Sequence, residues 1–539
     1  MRDIQFPGRS VVMGTRGMVA TSQPMATQVA LDVLRRGGNA LDAAIAASAT
    51  LCVTEPQSTG IGGDCFILYH EAATGKLHGL NGSGRAPQRA TREEYEARGH
   101  EEVPERGLLS VTVPGAIDAW ERALDRFGTL PLGELLQPAI AFADEGYAVS
   151  PVVGLVWARN EALLSATEPA RETLLLSGRA PVAGMAHRQP NLARSLRLIA
   201  KEGRAAFYTG ALAEEIVRYS HENDGLLEMD DFATHGGDWV EPIYTDYRGL
   251  RLYEIPPNGQ GITALMTLNI LEKTSLGDLE HLGADHVHTL VEALKLSMAE
   301  RDRFVSDMDF SDIPVELLLS KDFAANQWQR IQPARALHPP IISGVPEHRD
   351  TIYLTVVDEH RNAASFINSL YMNFGSGIVA GNTGITLQNR AAGFVMEEGH
   401  LNCIAPRKRP MHTIIPAMAY RGGQPILSFG VMGGHYQAMG HTYVLSNWLD
   451  FGMDLQQAVD APRFAPLRMV GRELAPDSSI LTVERPFPQE TRRELERRGH
   501  TILEAPVPLG GGQAIFIDSE AGVLHGASDP RKDGCAMGY

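Results

Sequence analysis

The chain has 539 residues. It is too long to form one ordinary hydrophobic core, since a domain has roughly 150 residues. Hydrophobic residues make up 44% and charged residues 21%, as in a typical globular protein. The formal net charge of −17 argues against nucleic acid as a partner, because such partners need a basic surface. The one basic cluster, at residues 407–409, is short and typical of a solvated loop.

The sequence was also searched for membrane-spanning and targeting segments. No stretch approaches the roughly 20 consecutive apolar residues of a transmembrane helix, and the first residues lack the apolar core of a signal peptide. The four cysteines are scattered without the spacing of a metal site. We therefore expect no membrane partner and a cytoplasmic location.

The first part of the chain predicts helices with a few strands. The predicted elements are a strand at 18–23, a helix at 24–36 with Pro24 in its first turn, a second helix capped by Asn39, and a strand at 65–70. A glycine-rich turn at 58–64 precedes that last strand. It lacks the Lys-Ser/Thr pair of a P-loop and the spacing of a dinucleotide site, which disfavours a phosphate-binding interpretation.

Further along, a strand is predicted from residue 107 into a helix, and 284–305 has the pattern of a long amphipathic helix. Residues 320–350 lose periodicity and include a proline-rich piece, which predicts a linker. After Thr351 strands dominate, beginning with a hairpin of 351–358 and 362–372. Helices before the linker and strands after it predict sheets covered by helices in one α/β body.

Thr351 opens the first strand after the predicted linker. One interpretation is that threonine simply favours strands. The other is that the bond between Asp350 and Thr351 is cut. Thr351 would then be N-terminal, with its hydroxyl as nucleophile and its own α-amine as base. Gly433 and Gly434 precede a predicted helix, and their N–H groups are candidates for an oxyanion hole.

From about residue 17 to 539 the chain resembles the γ-glutamyltranspeptidase family of N-terminal-nucleophile hydrolases. The blocks that carry the resemblance are "ATSQPMATQVALDVLRRGGNALDAAIAASATLCVTEPQSTGIGGDCF", "SVTVPGAIDAW", "LQPAIAFADEGY", "DTIYLTVVD", "GNTGI", "KRPMHTIIP", "GGH", "AVDAPRF" and "GASDPRKDGCAMGY".

The resemblance implies self-cleavage between Asp350 and Thr351, giving a large chain of 1–350 and a small chain of 351–539. It implies a four-layer αββα sandwich formed jointly by the two chains, which stay together as a heterodimer, with or without further pairing of such heterodimers. It also implies an acyl-enzyme on Thr351, an oxyanion hole at Gly433 and Gly434, a second hydroxyl at Ser369, and no cofactor.

The family's grip on an amino acid is altered in this chain. The arginine that holds the α-carboxylate is replaced by Ser83, and other positions that hold the substrate have become Tyr371, Arg390, Gly393 and the pair His412-Thr413. An ammonium group buried without an acidic partner costs several kcal/mol, roughly, so a γ-glutamyl group should bind poorly.

The replacements add positive charge. Arg390 can pair a carboxylate bidentately, with His412, Thr413, Tyr371 and Arg85 as further candidate substrate ligands. Such a pocket suits a small amide whose acyl group carries a carboxylate but no α-amine, as in oxamate or a glutaryl amide. This pattern is similar to the family branch of oxamate amidohydrolase and cephalosporin-acylase-like members.

Three functions stay open. They are an amidohydrolase that transfers such an acyl group to water, a γ-glutamyl hydrolase or transpeptidase with a reorganised pocket, and an uncleaved, non-catalytic binding protein. Arg390 has an equally simple interpretation as a structural arginine. His412, His435 and His441 lie on different predicted elements, and the last two are six residues apart, so no metal site is predicted.

Overall fold

The computed structural model describes residues 8–338, 351–467 and 479–539. Its strands, in chain order, are β1 (Val12–Gly14), β2 (Met18–Thr21), β3 (Asp64–Glu71), β4 (Lys76–Gly82), β5 (Tyr147–Ala148), β6 (Ala186–His187), β7 (Asp238–Val240), β8 (Ile243–Tyr247), β9 (Leu250–Glu254), β10 (Ile352–Val357), β11 (Ala363–Ser369), β12 (Ala417–Arg421), β13 (Gln424–Met432), β14 (Phe464–Ala465), β15 (Ser479–Val483), β16 (His500–Glu504), β17 (Gly511–Asp518), β18 (Val523–Ser528) and β19 (Cys535–Gly538).

The α-helices are α1 (Pro24–Arg35), α2 (Ala40–Thr54), α3 (Arg92–Ala97), α4 (Ala116–Phe127), α5 (Leu132–Leu135), α6 (Gln137–Glu145), α7 (Pro151–Arg159), α8 (Glu161–Leu164), α9 (Glu168–Leu174), α10 (Pro190–Glu202), α11 (Arg204–Tyr208), α12 (Ala211–Glu222), α13 (Met229–Ala233), α14 (Gly261–Leu271), α15 (Ala284–Phe304), α16 (Val315–Leu318), α17 (Lys321–Trp328), α18 (Tyr436–Leu449), α19 (Leu455–Asp460) and α20 (Gln489–Arg497). None of the helices in this part of the chain combines the length and apolar character that a bilayer crossing requires.

Two large sheets form the centre of the molecule. The first, here the nucleophile sheet, has the order β19-β2-β10-β11-β3-β4-β7, and the second sheet has the order β1-β18-β17-β13-β12-β9-β8. Both sheets combine strands from before and after Thr351. In the nucleophile sheet β10 pairs antiparallel with β11 on one side and with β2 on the other.

Side-chain alternation along β10 explains the layers. Ile352 and Leu354 pack with helices α1 and α2, whereas Tyr353 packs into a core between the two sheets. On the far side of the second sheet, Phe429 packs with helices α14, α15 and α18. The order of layers is helices, sheet, sheet, helices, which confirms the predicted αββα sandwich.

Most local predictions are confirmed. Asn39 caps α2, since its side chain accepts hydrogen bonds from the N–H groups of Leu41 and Asp42. The long amphipathic segment forms α15, and 352–369 forms the predicted hairpin of β10 and β11.

Two predictions differ from the structure. The strand predicted from residue 107 is wrong, because Leu108–Ser110 form a 3₁₀ turn and the next residues bond to a loop, with Val113 N–H donating to Arg85 O. The first residues of the predicted linker at 320–350 form helix α17, capped by the Ser320 hydroxyl, whereas 339–350 lie outside the described residues. In both places tertiary contacts and a local cap outweigh propensity.

Candidate active site

Thr351 lies at the first position before β10, beside the end of β11. Ile352 pairs with Asn368, and this register brings the Thr351 hydroxyl to 3.0 Å from the hydroxyl of Ser369. Both residues are buried. The hairpin therefore joins the predicted nucleophile and the predicted second hydroxyl, while Asp350 lies outside the described residues.

Gly433 and Gly434 form a turn between β13 and α18. Their φ angles are +135° and +59°, and such values favour glycine. The Gly433 carbonyl accepts from Tyr436 N–H at 3.1 Å, in the first turn of α18. Because the N–H of a trans peptide points away from its carbonyl, the Gly434 N–H points away from this helix.

Contacts between the two sheets indicate where this turn lies relative to Thr351. The Thr355 hydroxyl lies 2.6 Å from the Ser428 hydroxyl of the opposite sheet. The Tyr353 ring covers Gly430, where an added Cβ would lie 2.5 Å away. These pairs run in opposite directions along β10 and β13. Continuing this pattern by one step predicts that the end of β13, where the glycine turn begins, lies opposite Thr351.

Arg390 joins the hydroxyl pair. Its guanidinium donates to the Ser369 hydroxyl at 3.1 Å and to the Thr413 hydroxyl at 3.0 Å, and its Cζ lies 4.2 Å from the centroid of the Tyr371 ring. The Tyr371 N–H also donates to Ser369, at 2.8 Å. Three predicted substrate ligands, Arg390, Thr413 and Tyr371, thus lie around the second hydroxyl.

His412 lies behind this cluster and binds Asp64. Its Nε2 is 3.0 Å from Asp64 Oδ2, and both side chains are fully buried. Burial and the nearby Arg390 guanidinium lower the pKa of His412 to about 4, so the imidazole is neutral at neutral pH. Asp64 therefore holds His412 in the buried part of the cluster, and its assignment as a substrate ligand stays a prediction.

Asp64 is a central residue that the sequence-based prediction missed. Its Oδ1 accepts from the N–H groups of Gly84 and Gly115 and from the Gln388 amide, and its Oδ2 faces His412. Asp64 is the last residue of the glycine-rich turn at 58–64. A Cβ on Gly63 would lie 2.2 Å from the Ser369 carbonyl oxygen, so the turn serves a close backbone approach. An acid directly after the two glycines of this turn was the available signal.

Gln260 is a second missed residue. Its amide donates to the carbonyls of Thr413 and Gly434, at 2.7 and 2.9 Å, and its own oxygen accepts from Arg301. Arg301 also lies 2.9 Å from His435 Nδ1. Gln260 therefore ties the segment that holds Arg390 to the turn that holds Gly434.

Arg85 lies apart from this cluster. Its guanidinium is 3.4 Å from the carboxylate of Asp307 and 2.9 Å from that of Asp309. It lines a cavity of about 360 Å³ together with His235 and Phe310. No contact within the described residues links Arg85 to Thr351, so its assignment as a substrate ligand stays a prediction.

One group of side chains in the described residues has the composition of a metal site. Potential ligand atoms of His288, Glu292 and His500 lie within 4.8 Å of one another. His288 and His500 already hydrogen-bond at 2.9 Å, and the Lys295 ammonium lies 2.6 Å from Glu292. A divalent cation would have to sit beside this ammonium, so the arrangement suits a charge-balanced hydrogen-bond network better than a metal.

The sequence of this chain is similar to those of known proteins over almost its whole length. The profile of the family described as Gamma-glutamyltranspeptidase matches residues 26–539. The glutathione hydrolase-like YwrD proenzyme of Bacillus subtilis is 41% identical over 530 residues, covering 98% of this chain and 99% of the relative. The oxamate amidohydrolase proenzyme of Klebsiella pneumoniae is 33% identical, covering 98% and 99%.

A solved structure extends the likeness to the whole fold. The crystal structure of a cephalosporin acylase from Bacillus halodurans superposes with a TM-score of 0.91 at 41% identity, covering 100% of this chain and 99% of that one. Fold and relatives together define a hydrolase of amide bonds that uses an N-terminal nucleophile and is made as a proenzyme, whose cleavage leaves two associated chains. The chain belongs to the gamma-glutamyltranspeptidase family.

Proposed function

We propose that this chain cuts itself between Asp350 and Thr351 and then hydrolyses a small amide whose acyl group carries a carboxylate. Oxamate-like and glutaryl-like amides are the two substrate types we favour. The observation that carries the proposal is the hydroxyl of Thr351 at 3.0 Å from that of Ser369, at the start of a central strand.

The chemistry follows from a free N-terminal threonine. The Thr351 oxygen attacks the amide carbon, and its proton passes to the α-amine as the new C–O bond forms. The C–N bond then breaks, and the amine returns the proton to the leaving nitrogen. Water next attacks the ester, gives a proton to the amine, and Thr351 leaves with that proton.

The glycine turn supports the role of an oxyanion hole. The carbonyl between Gly433 and Gly434 is held by Tyr436 N–H, and that of Gly434 by the amide of Gln260. Fixed backbone donors of this kind stabilise the tetrahedral intermediate without reorganisation. Removing one such donor costs about 100- to 1,000-fold in turnover in well-studied cases.

Arg390 supports a carboxylate on the acyl group. Two hydrogen bonds in series, of 3.0 and 3.1 Å, keep its guanidinium within about 6 Å of the Thr351 oxygen. The acid in this region, Asp64, already accepts four hydrogen bonds. Two come from backbone N–H groups, and two come from the side chains of Gln388 and His412. A cation lies beside the nucleophile, and the acid there is already occupied by hydrogen bonds within the protein. This charge arrangement favours an acyl group that carries a carboxylate over one that carries an ammonium group. The names of an oxamate amidohydrolase and a cephalosporin acylase among the relatives agree.

A γ-glutamyl hydrolase or transpeptidase is the second candidate. The 41% identical relative is named glutathione hydrolase-like, which favours that activity. The two candidates differ in what their acyl group carries beside the carboxylate, an α-amine in the second case and none in the first. A substrate panel therefore separates them.

The first test is the intact mass of freshly purified protein and of a Thr351→Ala variant. Two fragments that meet at Asp350 and Thr351, absent from the variant, are expected. Thr355→Ala is a matched control, because Thr355 lies on the same strand and faces the same layer, and it should still be cut. An uncut wild-type chain would overturn self-cleavage and favour the non-catalytic binding protein.

The second test is release of ammonia or amine from oxamate, a glutaryl anilide and glutathione by the cleaved protein. Turnover of either of the first two, with little from glutathione, is expected. Efficient hydrolysis of glutathione alone would overturn the proposed substrate class and leave self-cleavage standing.

A further inference from the structure

Ser369 has three hydrogen-bonding neighbours in the described structure. Its hydroxyl lies 3.0 Å from Thr351 Oγ1, 2.8 Å from the Tyr371 nitrogen and 3.1 Å from a guanidinium nitrogen of Arg390. The distance alone leaves open which of the two hydroxyls donates in the Ser369–Thr351 bond. The other two neighbours resolve the question.

A backbone N–H and a guanidinium can only donate hydrogen bonds. Ser369 therefore accepts from Tyr371 and from Arg390, and these bonds use both lone pairs of its oxygen. One proton remains on Ser369, and among the described residues the one remaining neighbour is Thr351. The Ser369–Thr351 hydrogen bond thus runs from serine to threonine.

We propose that Arg390 is a positioning residue that fixes this direction, so that Ser369 always donates to the nucleophilic oxygen of Thr351. The inference deepens the proposed function and rests on it. Thr351 then keeps its own proton for transfer to the α-amine, and its oxygen receives a donor as negative charge develops. Without Arg390, Ser369 could rotate and accept from Thr351 instead.

Arg390 is built to hold one position. It is fully buried, its second described hydrogen bond goes to the Thr413 hydroxyl, and its guanidinium stacks on the Tyr371 ring. The titratable groups packed behind it are His412, which is neutral, and Asp64, which accepts four hydrogen bonds. The positive charge of Arg390 should also make protonation of the nearby α-amine harder.

A substrate anchor and a positioning residue predict different behaviour in self-cleavage. Self-cleavage replaces the Asp350–Thr351 peptide bond with an ester on the Thr351 oxygen, and the Thr351 nitrogen gains the proton that the hydroxyl gives up. Water then splits the ester. This reaction involves no substrate carboxylate, so a residue that only binds substrate should leave its rate unchanged.

The experiment compares the rate of self-cleavage in two single variants and in the double variant. The rate is measured from the disappearance of the precursor mass over time. Arg390→Gln and Ser369→Ala are each expected to slow cleavage by about 10- to 100-fold. The double variant is expected to be no slower than the slower single variant, because both changes remove the same hydrogen bond. Multiplied losses in the double variant would overturn the proposal.

The pH profile of the cleaved enzyme gives an independent readout with oxamate and a glutaryl anilide as probes. Arg390→Gln should move the acidic limb of kcat/KM upward by about one pH unit, because the α-amine gains a proton more easily without the cation. Arg390→Lys, which keeps the charge, should hold the limb near the wild-type position and serves if the glutamine variant does not fold.

The outcomes are separable. If the wild type cleaves and hydrolyses a probe but Arg390→Gln raises only KM and leaves self-cleavage unchanged, Arg390 is a substrate anchor and only this inference fails. If the wild type never cleaves, the proposed function fails and this inference fails with it.

Discussion

The Tyr371 ring lies against the Arg390 guanidinium, with 4.2 Å between Arg390 Cζ and the ring centroid. Tyr371 has a φ of +84°, which is rare for a bulky residue and costs about 1–3 kcal/mol. This backbone conformation lets one residue donate its N–H to Ser369 and present its ring to Arg390. The strained backbone of Tyr371 therefore keeps Ser369 and Arg390 in fixed positions beside the nucleophile.

We expect the ring of Tyr371 to contribute to catalysis by holding Arg390. Tyr371→Leu should lower kcat/KM about tenfold relative to Tyr371→Phe, since a buried cation–π contact is worth about 1–2 kcal/mol. Both variants lack the hydroxyl, so their comparison isolates the ring. Steady-state kinetics with the probe that the wild type cleaves gives the answer, and equal rates for the two variants would contradict the prediction.

The glycine turn gives a second prediction. Gly433→Ala should reduce turnover at least about 100-fold, because a Cβ would lie 2.9 Å from the Gly510 backbone and the residue has a φ of +135°. Gly422→Ala is the matched control. Its φ of +59° is also positive, although an alanine adopts it with less strain than +135°, and no atom lies within 4 Å of an added Cβ. The control should lose about 1 kcal/mol of stability and keep its turnover, and equal loss of activity in both would count against the oxyanion role.

Buried histidines predict a loss of stability in acid. Burial lowers the pKa of His187 to about 4, against about 6.5 in an unfolded chain. Between these values the unfolded state binds a proton that the folded state does not. Stability from this residue is therefore full above pH 6.5 and is lost as the pH falls towards 4, by about 3 kcal/mol at most.

His187 packs between Tyr147 and Trp157, where a phenylalanine ring can substitute for imidazole. His187→Phe should lessen the fall of the thermal midpoint between pH 7 and pH 5. The exposed His360 provides the control, and His360→Gln should follow the wild-type curve. A His187→Phe curve parallel to the wild type would refute the assignment.

Cleavage should leave the two fragments associated. In the nucleophile sheet β10 pairs with β2 from the first part of the chain, and β11 pairs with β3. Native mass measurement should therefore give a species that contains both fragments in equal number, with separation only in denaturant. The uncut Thr351→Ala variant should elute at the same volume in gel filtration. Fragments that part in native buffer would contradict this prediction.

The pair of Thr351 and Ser369 was predictable because the family resemblance indicated both positions and the strand pattern placed them in one hairpin. Thr351 and Ser369 are 18 residues apart, on strands whose register the alternation pattern defines. Asp64 was not predictable in this way. Its partner His412 is 348 residues away, and only the packed fold brings the two together.

The charges of the site illustrate the same limit. From sequence alone Arg390 is the leading candidate ligand, and Arg85 is a further one. Arg85 has three aspartates within ion-pair distance, Asp238, Asp307 and Asp309, whereas Arg390 binds the hydroxyls of Ser369 and Thr413. Which arginine lies near the nucleophile therefore depends on tertiary contacts that the sequence does not show directly.

The position of β10 between β2 and β11 has a consequence for the timing of activation. A chain still emerging from the ribosome has β2 early but gains β11 and β13 only after Thr351 has been made. The hydroxyl of Ser369 and the glycine turn are therefore made only after Thr351. Self-cleavage that depends on them, as proposed, cannot start until both have been made, so we expect the order of the strands to delay scission of the nascent protein.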